Sequence, residues 1–287
     1  MRRREFLAAA GAGTILSTFP LRWTQGAFSK PKKILYFTRS AGFEHSVVAR
    51  KGQELAFSEK VLMQWGKEVN VEVVCSKDGG VFDGDLDQFD AFAFYATGDW
   101  TKPVDRPNEP PATEAGVKRL LEAIAAGKGV IGFHAANDAF HSRGNELSPF
   151  VKMIGGEFAS HGRQQEATMK VVSPKFPGCE NIKDFRMLEE WYAMKNLAKD
   201  LHVILVQETE GMTDACYQRP PYPATWARIH GKGRVFYTSL GHREDVWESA
   251  IMKQISLGGL AWVLGEVAFD PVPNIDQVTP GANQLPK

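Results

Sequence analysis

The sequence predicts an α/β fold built on a parallel, doubly wound sheet. Three observations carry that reading. Short apolar runs and amphipathic segments follow one another as strand, helix, strand, strand, helix, strand. The strand-like runs are apolar throughout, as strands covered on both faces are. A chain of 287 residues with 43% hydrophobic content can bury a large core within one domain.

Each element has its own signal. Lys33–Thr38 (KILYFT) is the first strand. A helix follows, on which Val48, Leu55 and Leu62 recur every seven residues, with Val61 and Trp65 alongside. Val69–Cys75 and Asp90–Ala96 (DAFAFYA) are the second and third strands. Thr113 caps a helix whose apolar face is Val117, Leu120, Leu121 and Ile124, and Gly127 closes it. Gly129–Phe133 (GVIGF) is the fourth strand. Ala167–Val172, Val203–Gln207, Thr225–Ile229 and Arg234–Thr238 are shorter and separated by turns, which leaves room for an antiparallel part. Val246–Leu264 reads as the closing helix, with Ile251, Ile255 and Trp262 turned to the core. Pro271, Pro273, Pro280 and Pro286 mark 269–287 as a tail behind a domain of 30–268.

Composition excludes some functions. Lys+Arg and Asp+Glu both number 34, which argues against a nucleic-acid partner. A mean hydropathy of −0.27 argues against a multi-spanning membrane protein. Residues 1–29 read as an export leader. Arg2, Arg3 and Arg4 precede an apolar stretch from Phe6 to Phe19, shorter than the roughly 20 residues of a spanning helix. Arg3-Arg4-Glu5-Phe6-Leu7 resembles the twin-arginine signal, with Arg2 and Ala8 departing from the usual residues and cleavage expected near Ala27. The expected location is the periplasm, with no membrane span in the mature chain. Cys75, Cys179 and Cys216 allow one disulfide at most, and spacing leaves a Cys179–Cys216 pair open.

Ligands of open α/β sheets bind beyond the carboxyl ends of the strands. There the sequence places Arg39 to His45, Thr97-Gly98-Asp99-Trp100, His134 to Asp138, and Ser239 to Asp245. His134 sits among small residues at a strand-to-helix turn, where a nucleophile elbow would lie. Neither Ser nor Cys occupies that turn, so covalent acyl transfer is disfavoured there. An imidazole there can act as a general base or ligate a metal. His45 and His161 lie in glycine-containing loops. His141 is a weaker candidate, and His202 and His230 read as edge and turn residues. Glu189 and Glu190 precede Trp191, and adjacent carboxylates point apart, so one at most faces a site.

The ordered segments ILYFTRSAGFEHSVV, GVIGFHAANDAFH, IGGEFASHG, LEEWYAMKN and GKGRVFYTSLGHREDVWE span residues 33 to about 265. As a set they resemble the ThuA-like (trehalose-utilization) family. The resemblance implies a flavodoxin-like sheet, as in class I glutamine amidotransferases, without the amidotransferase cysteine. It places shared polar residues at His45, His134, Asp138, His161, Glu190 and His242. Glu189 stands where Asp is more common. It further implies a role in disaccharide catabolism beside dehydrogenases that oxidise sugar hydroxyls to ketones.

The expectation is an exported enzyme that cleaves or isomerises a 3-keto-glycoside such as a trehalose derivative. His134, Glu190 and His242 are the expected catalytic groups, with Glu190 as base. Arg39, His45, Asp99, Trp100 and Asp138 are expected to contact substrate. His45, His134, His161 and His242 would ligate a zinc- or manganese-like divalent ion. The competing expectation is a non-catalytic carbohydrate-binding protein, with Trp100, Trp191, Trp226 and Trp247 stacked on sugar rings. An inactivated amidotransferase relative that docks a partner domain is the third.

Overall fold

The structure, a computed structural model, describes residue 28 and residues 30–52 and 54–286. The predicted leader therefore lies, apart from Phe28, outside the described residues. In chain order the elements are β1 (Lys32–Phe37), α1 (Phe57–Glu68), β2 (Val71–Ser76), β3 (Ala91–Phe94), α2 (Glu114–Ala126), β4 (Gly129–Phe133), α3 (Pro149–Ile154), β5 (Glu157–His161), β6 (Gln165–Val171), β7 (Phe185–Glu189), β8 (Tyr192–Lys195), β9 (His202–Gln207), β10 (Tyr222–His230), β11 (Gly233–Thr238), α4 (Glu244–Trp247), α5 (Ala250–Val263) and α6 (Ile275–Val278).

Nine strands form one mixed sheet in the order β2-β1-β3-β4-β11-β10-β9-β6-β7. The first five run parallel. Their order matches the flavodoxin-like doubly wound pattern, whose ligand crevice opens beside β1 and β3. The other four pair antiparallel, which answers the shorter late runs. β5 and β8 form a separate ladder. Every residue of β3 and β4 is buried, because helices cover both faces of the parallel part. Among the described residues no helix is long and apolar enough to cross a membrane.

Three local expectations change. The seven-residue repeat does not mark the start of α1: Val48 is buried in a 3-10 turn and the helix begins at Phe57. The Glu59 carboxylate accepts the Ala56 N–H (2.8 Å) and closes the helix N-terminus there. The closing helix divides into α4 and α5, because the Ser249 hydroxyl caps a new start by accepting from Met252 N–H (3.1 Å). β5, β7 and β8 were not predicted. They are four or five residues long, and non-local pairing defines them. The Thr113 cap and Gly127 end of α2 form as expected.

The proline-containing tail is docked. Asn274 brackets Val203, accepting from its N–H (2.6 Å) and donating to its carbonyl (3.1 Å). Asn283 does the same for Leu197. Cys75, Cys179 and Cys216 are free thiols.

Candidate active site

The loops beyond β1, β4 and β11 and the β7–β8 link deliver four side chains to one point. These are His45, His134, His242 and Glu190, which offer donor atoms all within 4.8 Å of one another. Glu190 Oε2 lies 2.9 Å from His242 Nδ1, 3.4 Å from His134 Nε2 and 3.9 Å from His45 Nε2. Its Oε1 lies 3.4 Å from His161 Nδ1.

Backbone geometry sets this convergence. His134 directly follows β4 with φ of 39°, a positive value uncommon for a residue with a side chain. Packing is tight at Gly132, where a Cβ would lie 3.0 Å from both Ile154 and Tyr237 and would press on their side chains. The Tyr237 hydroxyl donates to the His134 carbonyl (2.7 Å). At the β1/β3 crevice, Gly98 (φ 70°) passes so close to Gly42 that a Cβ would sit 2.5 Å from its nitrogen.

The tautomers differ around the carboxylate. His134 Nδ1–H donates to the Ser239 carbonyl (2.8 Å), so Nε2 carries a lone pair towards Glu190. Burial pushes the His134 pKa down to about 3, against the pull of Glu190, and keeps the ring neutral. Nε2 has no hydrogen-bond partner. A lone pair facing a carboxylate is repulsive until a proton or a cation sits between them. Burial also lowers His45. On the other side, Gln164 Oε1 accepts from Arg243 (2.7 Å), which turns the Gln164 amino group to His242 Nε2 (3.0 Å). His242 then carries its proton on Nδ1, next to Glu190. Burial would raise the Glu190 carboxyl, but the surrounding imidazoles outweigh it and hold it far below the usual carboxylate range.

Glu189 points away from the centre. It accepts backbone N–H bonds from Glu190 (2.8 Å), Gly241 (2.9 Å) and His242 (3.1 Å), and so ties the His242 loop to the β7–β8 link. Burial pushes its pKa up to about 7 despite those bonds.

Several expected site residues lie elsewhere. Arg39 is fully buried and donates to the carbonyls of Glu109 (3.2 Å), Trp100 (3.1 Å) and Lys102 (2.7 Å). It clamps a loop and has no free face for substrate. Trp100 is fully buried among Phe37, Phe94 and Phe150. Trp191, Trp226 and Trp247 are equally buried, so none of these indoles can stack on a sugar. Asp99 accepts from Thr101 (2.7 Å) and lines a separate cavity of about 690 Å³ with Lys102, His141 and Arg143. Asp138 stays near enough for its charge to act on His45 and Tyr192, but its carboxylate pairs with His141 Nε2 (2.5 Å), whose Nδ1 meets buried Glu157 (3.0 Å). The bond to Asp138 raises the His141 pKa.

Four contributors were not predicted. The Tyr192 hydroxyl is 3.1 Å from His45 Nε2, and its ring lies 4.0 Å from that of His134. Gln164, the anchoring role of Glu189 and the rim residue Phe43 complete the set. The Tyr at the end of LEEWY is the one local signal that pointed to any of them.

Fold and centre together define a flavodoxin-like α/β protein that gathers imidazoles and one carboxylate beyond its parallel strand ends. The chain belongs to the ThuA family, described as trehalose utilisation, whose model matches residues 33–263. A ThuA-like protein from Parabacteroides merdae superposes with a TM-score of 0.61 at 21% identity, covering 84% of this chain and 93% of that one. One from Bacteroides uniformis gives 0.62 at 19% identity, over 82% and 93%. No curated protein matches the chain.

Proposed function

We propose that the protein is an exported, metal-assisted acid–base enzyme that cleaves a 3-keto-glycoside of the trehalose type. The observation that supports this most is the Glu190 carboxylate ringed by His45, His134 and His242, with an unpartnered His134 lone pair aimed at it. In tetrahedral zinc coordination, donor atoms stand about 3.3 Å apart. The spacings of 3.4 and 3.9 Å from Glu190 Oε2 to His134 Nε2 and His45 Nε2 suit such an ion.

His45, His134 and Glu190 would hold the divalent cation. When bound it would supply Lewis-acid stabilisation of negative charge on a ketone oxygen. Two histidines, each with its proton on Nδ1, serve the acid–base work through opposite ring nitrogens. His161 is half exposed, and its Nδ1–H donates to the Gly162 carbonyl (2.9 Å), which leaves Nε2 as a base. It removes the proton at C2, next to the keto group. The C2–H electron pair forms the C1=C2 bond as the C1–O bond breaks. His242 Nδ1–H gives its proton to the departing oxygen. The products are an unsaturated ketone and a free sugar, and water addition to the former completes the cleavage. Glu190 moves from base to ligand in this scheme, because a strongly acidic carboxyl is a poor proton acceptor.

The test is metal content and turnover of 3-keto-trehalose by the purified protein. Metal near one equivalent, with cleavage lost in His134→Ala and Glu190→Gln, is the expected result. Wild-type turnover in those variants overturns the assignment. Sugar binding with no turnover by metal-loaded wild type leaves a binding protein instead.

A further inference from the structure

Five large hydrophobic side chains are exposed among the described residues: Phe43, Leu188, Ile229, Val272 and Leu285. Phe43 is the most exposed, at 69%, and the one aromatic among them. Single exposed apolar residues are ordinary. The position of this one is not. Its ring lies 4.9 Å from that of His45, at an interplanar angle of 87°. His45 is itself 2% exposed and faces Glu190. The aromatic ring that folding leaves in solvent therefore stands on the rim of the candidate active site.

Two further features fit a binding role. In an edge-to-face contact at most one face of the Phe43 ring meets His45, and the side chain's exposure leaves most of the ring to solvent. The loop is also fixed. Ala41 N–H donates to the Thr97 carbonyl (2.8 Å), Gly42 N–H to Thr97 Oγ1 (3.2 Å), and Thr97 Oγ1–H to the Phe43 carbonyl (2.9 Å). The next residue, Glu44, is paired with buried Lys77 (2.8 Å). A platform held in place before binding loses little freedom on binding.

We propose that Phe43 is a carbohydrate-stacking residue, which receives the C–H face of a pyranose ring on the His45 side of the Glu190 centre. The weakly positive C–H groups of a pyranose suit the negative face of an aromatic ring. Stacking would fix which ring carbon meets the centre, and so makes Phe43 a specificity residue. The buried tryptophans cannot serve this purpose, and Phe43 is placed where they are not. The inference rests on the proposed sugar specificity of the site.

The experiment compares metal-loaded wild type, Phe43→Ala and Phe43→Trp. Binding of 3-keto-trehalose and trehalose is measured by calorimetry, with the open-chain polyol sorbitol as a ligand that lacks a pyranose face. Phe43 is exposed, so melting temperature and metal content should match wild type in both variants. The expected result is about tenfold weaker binding of the pyranosides by Phe43→Ala, the size of one lost ring contact. KM should rise with kcat little changed, and Phe43→Trp should retain binding. Sorbitol should not distinguish the proteins. Pyranoside binding by Phe43→Ala equal to that of wild type overturns this inference and leaves the Glu190 centre standing. Failure of metal-loaded wild type to bind either pyranoside overturns the sugar specificity itself, and this inference with it.

Discussion

Two buried carboxylates stand near the end of β1 and have opposite surroundings. Glu59 is fully buried and accepts four hydrogen bonds, from Thr38 Oγ1 (2.6 Å), Arg50 Nε and Nη2 (2.8 Å each) and Ala56 N–H (2.8 Å). Glu190 is nearly as buried, but the imidazole nitrogens facing it include His134 Nε2 and His242 Nδ1, which have no well-formed hydrogen bond. Buried polar groups in folded proteins are almost always satisfied. Glu59 obeys that rule and joins β1 to α1. The three imidazoles around Glu190 depart from it together, His45 at Nδ1, His134 at Nε2 and His242 at Nδ1, on three different segments. On the proposed reading, the contrast separates a carboxylate that builds the fold from one whose surroundings a cation or a substrate would complete.

The largest effects should fall on opposite observables at the two sites. Glu190→Gln and His134→Ala should each lower 3-keto-trehalose turnover roughly a thousandfold and release the metal. The metal-free melting temperature should change little in Glu190→Gln, whereas His134→Ala also empties a buried site and strips the Ser239 carbonyl of its donor. His242→Ala should lose turnover by a similar factor yet keep its metal, because His242 acts as the acid and is not a ligand in the proposed scheme. Glu59→Gln should do the reverse. It leaves Arg50 without its charge partner and should cost about 3 kcal/mol in urea unfolding, with metal content intact in the folded fraction. If Glu59→Gln released metal at wild-type stability, the distinction between the two carboxylates would be lost. Arg39→Met tests a residue moved from one class to the other. Three carbonyls, two of them buried, would lose their donor, at roughly 2–3 kcal/mol, while KM in the folded fraction stays unchanged.

Acidification sharpens the same comparison. His134 has a folded pKa of about 3 and an unfolded one near 6.5. Between those values the unfolded chain binds the extra proton, so stability rises with pH and is lost as pH falls. Metal-free protein should lose up to about 1.4 kcal/mol per pH unit across that window from this residue alone. His45 shifts in the same direction and adds to the loss. His134→Ala should show a shallower pH dependence in urea unfolding. A slope identical to that of wild type would mean that the ring is not held neutral.

The parallel half of the sheet was legible because its signals are local. An apolar run such as GVIGF or a Thr113 cap can be read within a dozen residues, and the strand-end rule follows from them. That rule gathered His45, His134 and His242, and the structure brings these together. It also gathered Arg39 and Trp100, which occupy equivalent positions in sequence. What separates them is the path of residues 100–109, whose carbonyls turn back onto Arg39. No pattern near Arg39 encodes that path. Glu190 was visible as half of an acidic pair, but which carboxylate faces inward depends on β7 pairing with β6 and β8 with β5. These ladders are short and join segments far apart in the chain. The Tyr192–His45 and Gln164–His242 contacts span 147 and 78 residues, so they too arise only in the folded molecule.

The smallest prediction calibrates the satisfied end of the comparison. Thr113 is also fully bonded, accepting from Gly116 N–H (2.8 Å) and donating to Asp83 Oδ1 (2.6 Å). It differs from Glu59 in being exposed. Water can replace what Thr113→Ala removes, so the expected cost is that of an ordinary N-cap, about 1 kcal/mol, with turnover and metal content unchanged. For Glu59, water has no access, and the stranded partner is a charge. The ratio of the two losses in urea unfolding then measures what burial adds to a satisfied polar group. A Thr113→Ala loss as large as that of Glu59→Gln would show that bond count, not burial, sets the energy. The reading of Glu190 as a buried group left deliberately incomplete would then lose its physical footing.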